Sequence, residues 1–248
     1  NETITRSARA SAFAALCGEH GEISRVKSFW RSVERFSAGA AVCVKDAGRG
    51  RRLVVVSGWA CEMRILPDGR RQIFAFHLPG DTIDLEHADC GRRISIALTR
   101  LETVDVEVLM AGDDEVKRNV SRAIRQTVLR QEDRLFDHMV RIGRLSTRER
   151  VLNLLLDLHD RLDAAGLVKE NTFRLPVTQE MFADALGLSI VHINRTLQQL
   201  RREGLISLKG GTVTLHNRQR LDALACYQVE SAAAPDLPWG LMGALQPT

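Results

Sequence analysis

The chain has no long apolar run and few cysteines, and both absences narrow the classes of protein to which it can belong. A membrane-spanning helix needs about 18 or more consecutive apolar residues, and no stretch of the 248 residues approaches that length. Residues 1–18 look helical and carry Arg6 and Arg9, but they lack the long apolar core of a signal peptide. The five cysteines are odd in number and widely spaced, which favours free thiols in a reducing cytoplasm.

The sequence also lacks the short motifs of common enzyme classes. It contains no nucleophile elbow, phosphate-binding loop, HExxH zinc motif or paired-cysteine metal motif, so we do not expect an enzyme. Neither sign of charge dominates, since 35 basic and 31 acidic residues give a formal net charge of +4. This mild excess is compatible with nucleic-acid binding but is not evidence for it. The length and the 44% hydrophobic content allow two domains with cores of their own.

The strongest pattern lies between residues 175 and 215. Thr178 is a good helix N-cap, because its hydroxyl can accept a hydrogen bond from an otherwise unpaired backbone N–H. Gly187 is expected to end that helix, since glycine adopts the left-handed conformation without strain. Ser189 then caps a second helix over about residues 189–202, and the small Ala183 permits the two helices to cross closely. This order is typical of a helix-turn-helix.

A predicted β-hairpin follows the second helix. Two short runs with β character, residues 205–208 and 212–215, are joined by Lys209, Gly210 and Gly211. A basic, glycine-rich hairpin tip in this position indicates the wing of a winged-helix DNA-binding domain. The alternative is a helical hairpin and a β-hairpin that bind no nucleic acid. The Ser146-Thr147-Arg148-Glu149 segment is a capping box, and it predicts a supporting helix before this region.

In the N-terminal half the pattern of apolar residues changes to a period of two, which is typical of β-strands. Many short segments of β character at regular spacing predict a closed all-β unit, either a barrel or a roll. Asp68-Gly69 is a strong hairpin turn within it. The predicted strands cover residues 40–45, 53–57, 60–66, 70–78, 94–98 and 103–109.

One long amphipathic helix is predicted between these two parts, over residues 112–143, and Gly143 is expected to end it. Its apolar stripe advances in steps of three and four over about seven turns. A stripe of that length has little partner surface within its own domain, so we expect the helix to pair with its twin in a homodimer. Packing on the β unit is the alternative. The stripe consists of Val116, Val120, Ile124, Val128, Leu135, Met139 and Ile142.

The predicted fold class is therefore α+β. Residues 1–111 would form a β-roll sensor-like domain with N-terminal helices, and residues 112–143 a dimerisation helix. Residues 144–225 would form the winged-helix DNA-binding domain. Residues 226–248 are rich in alanine and proline and are expected to be a mobile tail.

In this order the three parts resemble the cyclic-AMP receptor/fumarate-nitrate reduction regulator superfamily, CRP/FNR. The resemblance implies a homodimeric transcription regulator whose cyclic-nucleotide-binding-like β-roll senses a signal. Movement of the dimer helices would then place two recognition helices in successive major grooves of a palindromic operator, with RNA polymerase as a further partner. The rival interpretation is a cyclic-nucleotide-binding-like regulatory module that acts on a protein partner. The resemblance is carried by Val55-Val56-Ser57-Gly58-Trp59-Ala60, Leu66-Pro67-Asp68-Gly69-Arg70-Arg71-Gln72-Ile73, Phe76-His77-Leu78-Pro79-Gly80-Asp81 and residues 142–215.

The resemblance also assigns DNA contacts. Arg195 matches the arginine that the family uses on a guanine, and a bidentate pair of this kind is worth roughly 1–3 kcal/mol of discrimination. Four residues earlier the family often has a glutamate that reads cytosine, whereas this chain has Val191, which can touch a thymine methyl. His192 and Asn194 can reach bases or phosphates, so the operator should keep a guanine but differ from familiar half-sites. The remaining candidates, most of them for phosphate contacts, are Thr178, Gln179, Ser189, Ile190, Arg201 and Lys209.

Comparison with the cyclic-AMP binders of the family argues against that ligand. Those proteins have a glutamate after a Pro-Gly-Asp-like turn and an Arg-Ser pair further on. Here Glu86 lies one place from the expected glutamate, and the run from residue 80 to residue 95 contains no Arg-Ser pair. Acidic side chains at Asp84 and Asp89 also disfavour a phosphate. Cyclic AMP is therefore not expected.

Other sensing chemistry is only weakly indicated, and no cofactor or metal is predicted. An iron–sulfur cluster is not expected, because Cys17 is the lone cysteine near the N-terminus. Haem bound through His77 or His87 remains an alternative, as does a redox switch at Cys90, where neighbouring arginines would stabilise a thiolate. The candidates for an effector pocket are Glu86, His87, Cys90, Arg92 and Arg93.

Overall fold

The computed structural model describes residues 32–43, 51–85, 93–111 and 114–227, except for the side chain of Val116. Within these ranges the chain forms a β-roll, a long helix and a helical domain with a small sheet, so the predicted α+β fold class is confirmed. The strands are β1 (Glu34–Phe36), β2 (Arg52–Ser57), β3 (Ala60–Ile65), β4 (Arg71–His77), β5 (Thr82–Asp84), β6 (Ile94–Ala97), β7 (Leu101–Asp105), β8 (Thr172–Arg174), β9 (Ile206–Lys209) and β10 (Thr212–Leu215). The helices are α1 (Val106–Leu109), α2 (Asp114–Arg144), α3 (Thr147–Ala164), α4 (Gln179–Leu186), α5 (Ile190–Arg202) and α6 (Arg218–Ala225).

The β-roll consists of two antiparallel sheets, one in the order β1-β7-β2-β5 and one in the order β4-β3-β6. Strand β2 is buried along almost its whole length, with Leu53 and Val54 fully enclosed. Gly58 follows it with a φ of +88°, and a Cβ atom there would lie 2.2 Å from the carbonyl oxygen of Arg100. Only glycine combines that backbone conformation with so close an approach of a neighbouring chain.

Two of the predicted strands are wrong in extent. Of residues 40–45, only Ala41 pairs, in an isolated bridge with Ile96, and residues 44–45 lie outside the described part. The strand predicted over residues 103–109 stops at Asp105, where the side chain accepts a hydrogen bond from the Glu107 N–H at 2.8 Å. The aspartate therefore acts as an N-cap and starts the single helical turn α1.

Helix α2 runs one residue beyond Gly143, so the prediction that this glycine ends the helix is wrong. The expectation that the apolar stripe pairs with a second copy is wrong for Val120 and Ile124, and the side chain of Val116 lies outside the described part. Val120 and Ile124 are buried against Val54 and Val104 of the β-roll, as in the alternative interpretation, and are not available to a second copy. The exposed apolar side chains of α2 lie in its C-terminal half, and they are Leu129, Leu135, Phe136, Met139 and Val140.

The helical domain packs α3, α4, α5 and α6 on the sheet β8-β10-β9. The predicted capping box is present at the start of α3, because Ser146 N–H donates to Glu149 Oε2 at 2.7 Å and Ser146 Oγ accepts from Glu149 N–H at 3.4 Å. Helix α6 was not predicted, because an asparagine within a polar stretch is typical of a loop. In the structure this residue, Asn217, is the N-cap and adopts the left-handed conformation. Its buried Leu221 completes the core beside α3.

The β-roll and the helical domain share one hydrophobic cluster. Trp59 and Ile73 of the β-roll belong to the same set of packed side chains as Phe182 and Leu186 of α4. The side chain of Gln72 also donates to the carbonyl of Ala185 at 3.2 Å. Strand β4 and helix α4 therefore form a direct junction between the two domains. No helix in the described part of the chain is both long and apolar enough to cross a membrane.

Candidate nucleic-acid interface

The helix-turn-helix has the caps that the sequence predicts. Thr178 Oγ1 accepts a hydrogen bond from Met181 N–H at 3.2 Å and starts α4. Gly187 ends α4 in the left-handed conformation, with φ 63° and ψ 38°. Leu188 N–H then donates to the Ala183 carbonyl at 3.1 Å, which closes the turn.

Helix α5 has one buried face and one exposed face. Ile193 and Leu200 are fully buried and Leu197 nearly so, and they hold the helix on the domain core. On the opposite side Val191 is 74% exposed and Arg195 is exposed. Because the apolar face of α5 packs in the core, its polar face is available to an external partner.

The first turn of α5 fixes the side chain of His192. Ser189 Oγ accepts a hydrogen bond from His192 N–H at 3.3 Å and lies 3.0 Å from Nδ1 of the same histidine. With Nδ1 engaged, Nε2 is the ring nitrogen left for a ligand. Arg195, one turn further on, has no carboxylate within ion-pair distance among residues 114–227. An arginine in that state can form a bidentate pair with a base or bind a phosphate.

The wing is a tight hairpin. Lys209 pairs with Thr212, and Gly210 and Gly211 between them have φ values of 58° and 75°, as a type I′ turn requires. Strand β8 adds a third strand and places the exposed Arg174 opposite Thr212. Arg174 is a further candidate for a phosphate contact that sequence reasoning missed. The signal available in the sequence was a basic residue in the short strand before Pro176.

The DNA-contact candidates lie at the N-terminal ends of α4 and α5, along α5 and at the wing. Asn194 is half-buried and the others are exposed. The exposed ones are Thr178, Gln179, Ser189, Ile190, Val191, His192, Arg195, Arg201 and Lys209.

The C-terminal end of α5 is held by charged hydrogen bonds from α3. Arg148 of α3 donates two hydrogen bonds to the carboxylate of Glu203, at 2.9 and 2.5 Å. Gln199 also donates to Glu203 at 2.9 Å. These hydrogen bonds lower the pKa of the Glu203 carboxyl, with Arg148 as the largest cause. Sequence reasoning missed this pair, because its members are 55 residues apart.

Most of the predicted effector-pocket residues cannot be placed. Glu86, His87, Cys90 and Arg92 lie outside the described residues. Arg93 is described, and its Nε lies 2.8 Å from a carboxylate oxygen of Glu62. That arginine is therefore already paired within the β-roll.

A cavity of about 560 Å³ lies close to Arg93, between β4, α2 and α3. Apolar side chains such as Ile73 and Leu135 form part of its wall. Its charged groups are largely paired with one another, as Arg52 is with Asp84 at 2.9 Å. The cavity thus combines an apolar lining with neutralised charges.

His77, a candidate haem ligand, also lines this cavity, and its buried Nε2 has no hydrogen-bond partner in the described part of the chain. It is only 3% exposed, its Nδ1 lies 3.3 Å from Gln131 Nε2, and its Nε2 lies 3.5 Å from Glu62 Oε2. Of the cysteines, Cys61 is buried in β3 and Cys226 follows α6, while Cys17 and Cys90 lie outside the described residues. Across the four described ranges, no group of three potential metal ligands is present.

Comparison with known proteins agrees with this geometry. Residues 149–224 match the Crp-like helix-turn-helix domain. The chain is 30% identical over 215 residues to the nitrogen fixation regulation protein FixK of Bradyrhizobium diazoefficiens, covering 86% of this chain and 90% of that protein. It is 31% identical over 218 residues to the transcriptional activatory protein AadR of Rhodopseudomonas palustris, covering 85% and 89%.

A solved structure extends the similarity to the fold. FixK2 from Bradyrhizobium japonicum superposes with a TM-score of 0.60 at 28% identity, covering 82% of this chain and 98% of that one. The similarity therefore includes the β-roll, the long helix and the DNA-binding domain together. With an exposed recognition helix and wing on that scaffold, the chain belongs to the CRP/FNR family of dimeric, DNA-binding transcription regulators.

Proposed function

We propose that this regulator reads a palindromic operator through the N-terminal half of α5, with Arg195 on a guanine in each half-site. The observation that carries the proposal is the exposed Arg195, which has no carboxylate partner among the described residues and lies on a helix whose other face is buried in the core. Val191 precedes it by one turn and offers a methyl-bearing surface to a thymine. Thr178, Gln179, Ser189 and the wing supply phosphate contacts, which position the helix without specifying sequence.

The test is substitution of Arg195 by alanine, with Arg202→Ala as the matched control. Arg202 is an exposed arginine in the last turn of the same helix. Arg195→Ala should lose roughly 1–3 kcal/mol of discrimination between operator and unrelated DNA and keep weak, salt-sensitive binding. Arg202→Ala should keep the discrimination. Fluorescence anisotropy at two salt concentrations measures both quantities, and unchanged selectivity in Arg195→Ala would contradict the assignment.

The exposed apolar face of α2 supports the homodimer that this reading requires. Phe136 and Val140 are one turn apart and each is more than half exposed, and Leu129 lies two turns before Phe136 on the same side. A second copy of α2 would cover these side chains. The dimer would then present two copies of α5 to the two half-sites.

We further infer that the cavity beside β4 receives the signal, and that the ligand is not a cyclic nucleotide. Arg93 and Arg52 are paired with carboxylates, so neither is free for a phosphate. The apolar part of the lining favours a small molecule with an apolar body. The response of the protein to cyclic AMP tests the inference, and we expect no response.

The protein's partners and location follow from the same proposal. AadR is described as a transcriptional activator, and this chain resembles it along most of its length, which supports activation through contact with RNA polymerase. We expect a cytoplasmic protein without catalytic activity. In vitro transcription with purified polymerase distinguishes activation from repression.

A further inference from the structure

One buried carboxylate joins three parts of the molecule. Asp81 lies in the turn between β4 and β5 and is only 6% exposed. Its Oδ1 accepts a hydrogen bond from Arg134 Nη1 of α2 at 2.9 Å, and its Oδ2 accepts one from Arg161 Nη2 of α3 at 2.6 Å. The Leu78 N–H also donates to Oδ2, at 2.8 Å. The β-roll, the long helix and the first helix of the DNA-binding domain therefore meet at a single side chain.

The charges at this point stabilise one another. Burial alone would raise the pKa of the Asp81 carboxyl, but the charges of Arg161 and Arg134 outweigh it and hold that pKa at about 2. The carboxylate is thus ionised at neutral pH. Removing one member of such a buried set leaves an uncompensated charge, which is strongly unfavourable. Removing one partner from this set therefore costs more than removing one from a surface ion pair.

Neighbouring contacts fix the same turn on both helices. Gln131 of α2 donates through Nε2 to the carbonyl of Thr82 at 2.8 Å, and Thr82 Oγ1 donates to Gln131 Oε1 at 2.5 Å. Arg161 also donates to the Phe76 carbonyl at 2.5 Å. At the N-terminal end of β4, Arg71 pairs with Asp184 of α4 at 2.8 Å. The DNA-binding domain is thus attached to the β-roll at two places.

The attachment leaves the reading face open. Val191 and Arg195 are exposed although Asp81 holds the DNA-binding domain against the β-roll, so this docked arrangement does not block DNA. A palindromic operator presents its half-sites at a fixed separation, about one helical turn, and both recognition helices must match it. A rigid joint between α2 and α3 lowers the conformational cost of that match.

We propose that Asp81, clamped by Arg134 and Arg161, is a positioning residue that sets the separation of the two recognition helices in the dimer. With the clamp closed, the dimer accepts one half-site spacing and rejects others. With the clamp broken, each DNA-binding domain still reads its half-site but the spacing is no longer enforced. The proposal rests on the operator reading by α5 given above.

The experiment compares wild type, Asp81→Asn and the control Asp68→Asn by fluorescence anisotropy. Asp68 is an exposed aspartate in the β3–β4 turn that pairs with Arg70 at 2.8 Å. It is therefore also an aspartate paired with an arginine, but this pair does not join the β-roll to the helices. The DNA set contains three kinds of duplex. They are the palindromic operator obtained by selection from random DNA, the same palindrome with one or two base pairs added or removed at its centre, and a single half-site.

Asp81→Asn should reduce discrimination against altered spacings by about tenfold, within the usual range of coupling energies, and leave half-site affinity unchanged. Asp68→Asn should behave as wild type. Full spacing discrimination in Asp81→Asn would overturn the proposal, and so would tighter binding to the palindrome with unchanged spacing preference, because the clamp would then be inhibitory. Arg161→Gln, which removes one arm of the clamp, should show a smaller loss and keeps the test valid where Asp81→Asn fails to fold.

A measurement without DNA separates this proposal from the operator reading. Hydrogen exchange at the backbone amides of residues 71–77 and 179–186 should be faster in Asp81→Asn than in wild type, and unchanged in Asp68→Asn. Equal exchange in all three proteins would contradict the clamp whatever the DNA result. If wild type shows no sequence preference but the exchange differs as expected, the operator reading fails and the clamp remains.

Discussion

Arginines in two regions of this molecule have opposite surroundings. On α5, Arg195 is exposed and without a carboxylate partner in the described part of the domain, while at the β4–β5 turn Arg134 and Arg161 share the buried Asp81. The first arrangement leaves a charge for an external ligand, whereas the second uses two charges to hold protein elements together. The role of an arginine in this protein therefore follows from its burial and pairing, and the abundance of basic residues does not reveal it.

We expect the largest effect, a loss of stability, from a substitution on the buried side of α5. Ile193 is fully buried on the core-facing side of α5, so Ile193→Ala should lower the free energy of unfolding by about 2–5 kcal/mol. The base preference of the folded protein should not change, because the side chain faces the core. Urea denaturation measures the first quantity and binding-site competition the second. Val191→Ala is the control, and its stability should stay within about 0.5 kcal/mol of wild type.

A smaller effect is expected on the exposed side of the same helix. Val191 is 74% exposed, and the resemblance to the family places it where a glutamate that reads cytosine often stands. Val191→Glu should therefore shift the preferred base toward cytosine by about 1–3 kcal/mol at the facing position, with little change in melting temperature. Competition between duplexes that differ at that base pair measures the shift. An unaltered preference would show that this part of α5 does not face the base.

The smallest effect is expected from cyclic AMP, which should cause none. Since Arg93 is paired with Glu62 and Arg52 with Asp84, a phosphate would have to break an ion pair to bind. Addition of the nucleotide should leave both the melting temperature and the operator affinity unchanged. A rise in melting temperature that grows with nucleotide concentration would contradict this, since a ligand that binds the folded state stabilises it by mass action.

The DNA-binding domain was the most predictable region, because its signals are local. A cap at Thr178, a left-handed Gly187 and a second cap at Ser189 each depend on residues within one turn, and the structure has all three. The wing turn at Gly210 is equally local. Helix α6 was missed because its cap, Asn217, resembles an ordinary loop residue.

The long-range features were less predictable. The period of α2 is visible in the sequence, yet the choice of neighbour for Val120 depends on where the β-roll lies. The position of Phe136 on the free face could be recognised only after that choice. Asp81 gave no sequence signal for its two partners, since Arg134 and Arg161 are 53 and 80 residues away. Contacts of this kind are specified by tertiary packing and not by local pattern.

The most direct test of the account is selection of binding sites from random duplex DNA with the purified full chain and no added ligand. We expect an inverted repeat with half-sites about one helical turn apart, roughly 34 Å between centres, and a guanine in each half-site. Recovery of DNA without a common sequence, bound only in a salt-sensitive manner, would contradict it.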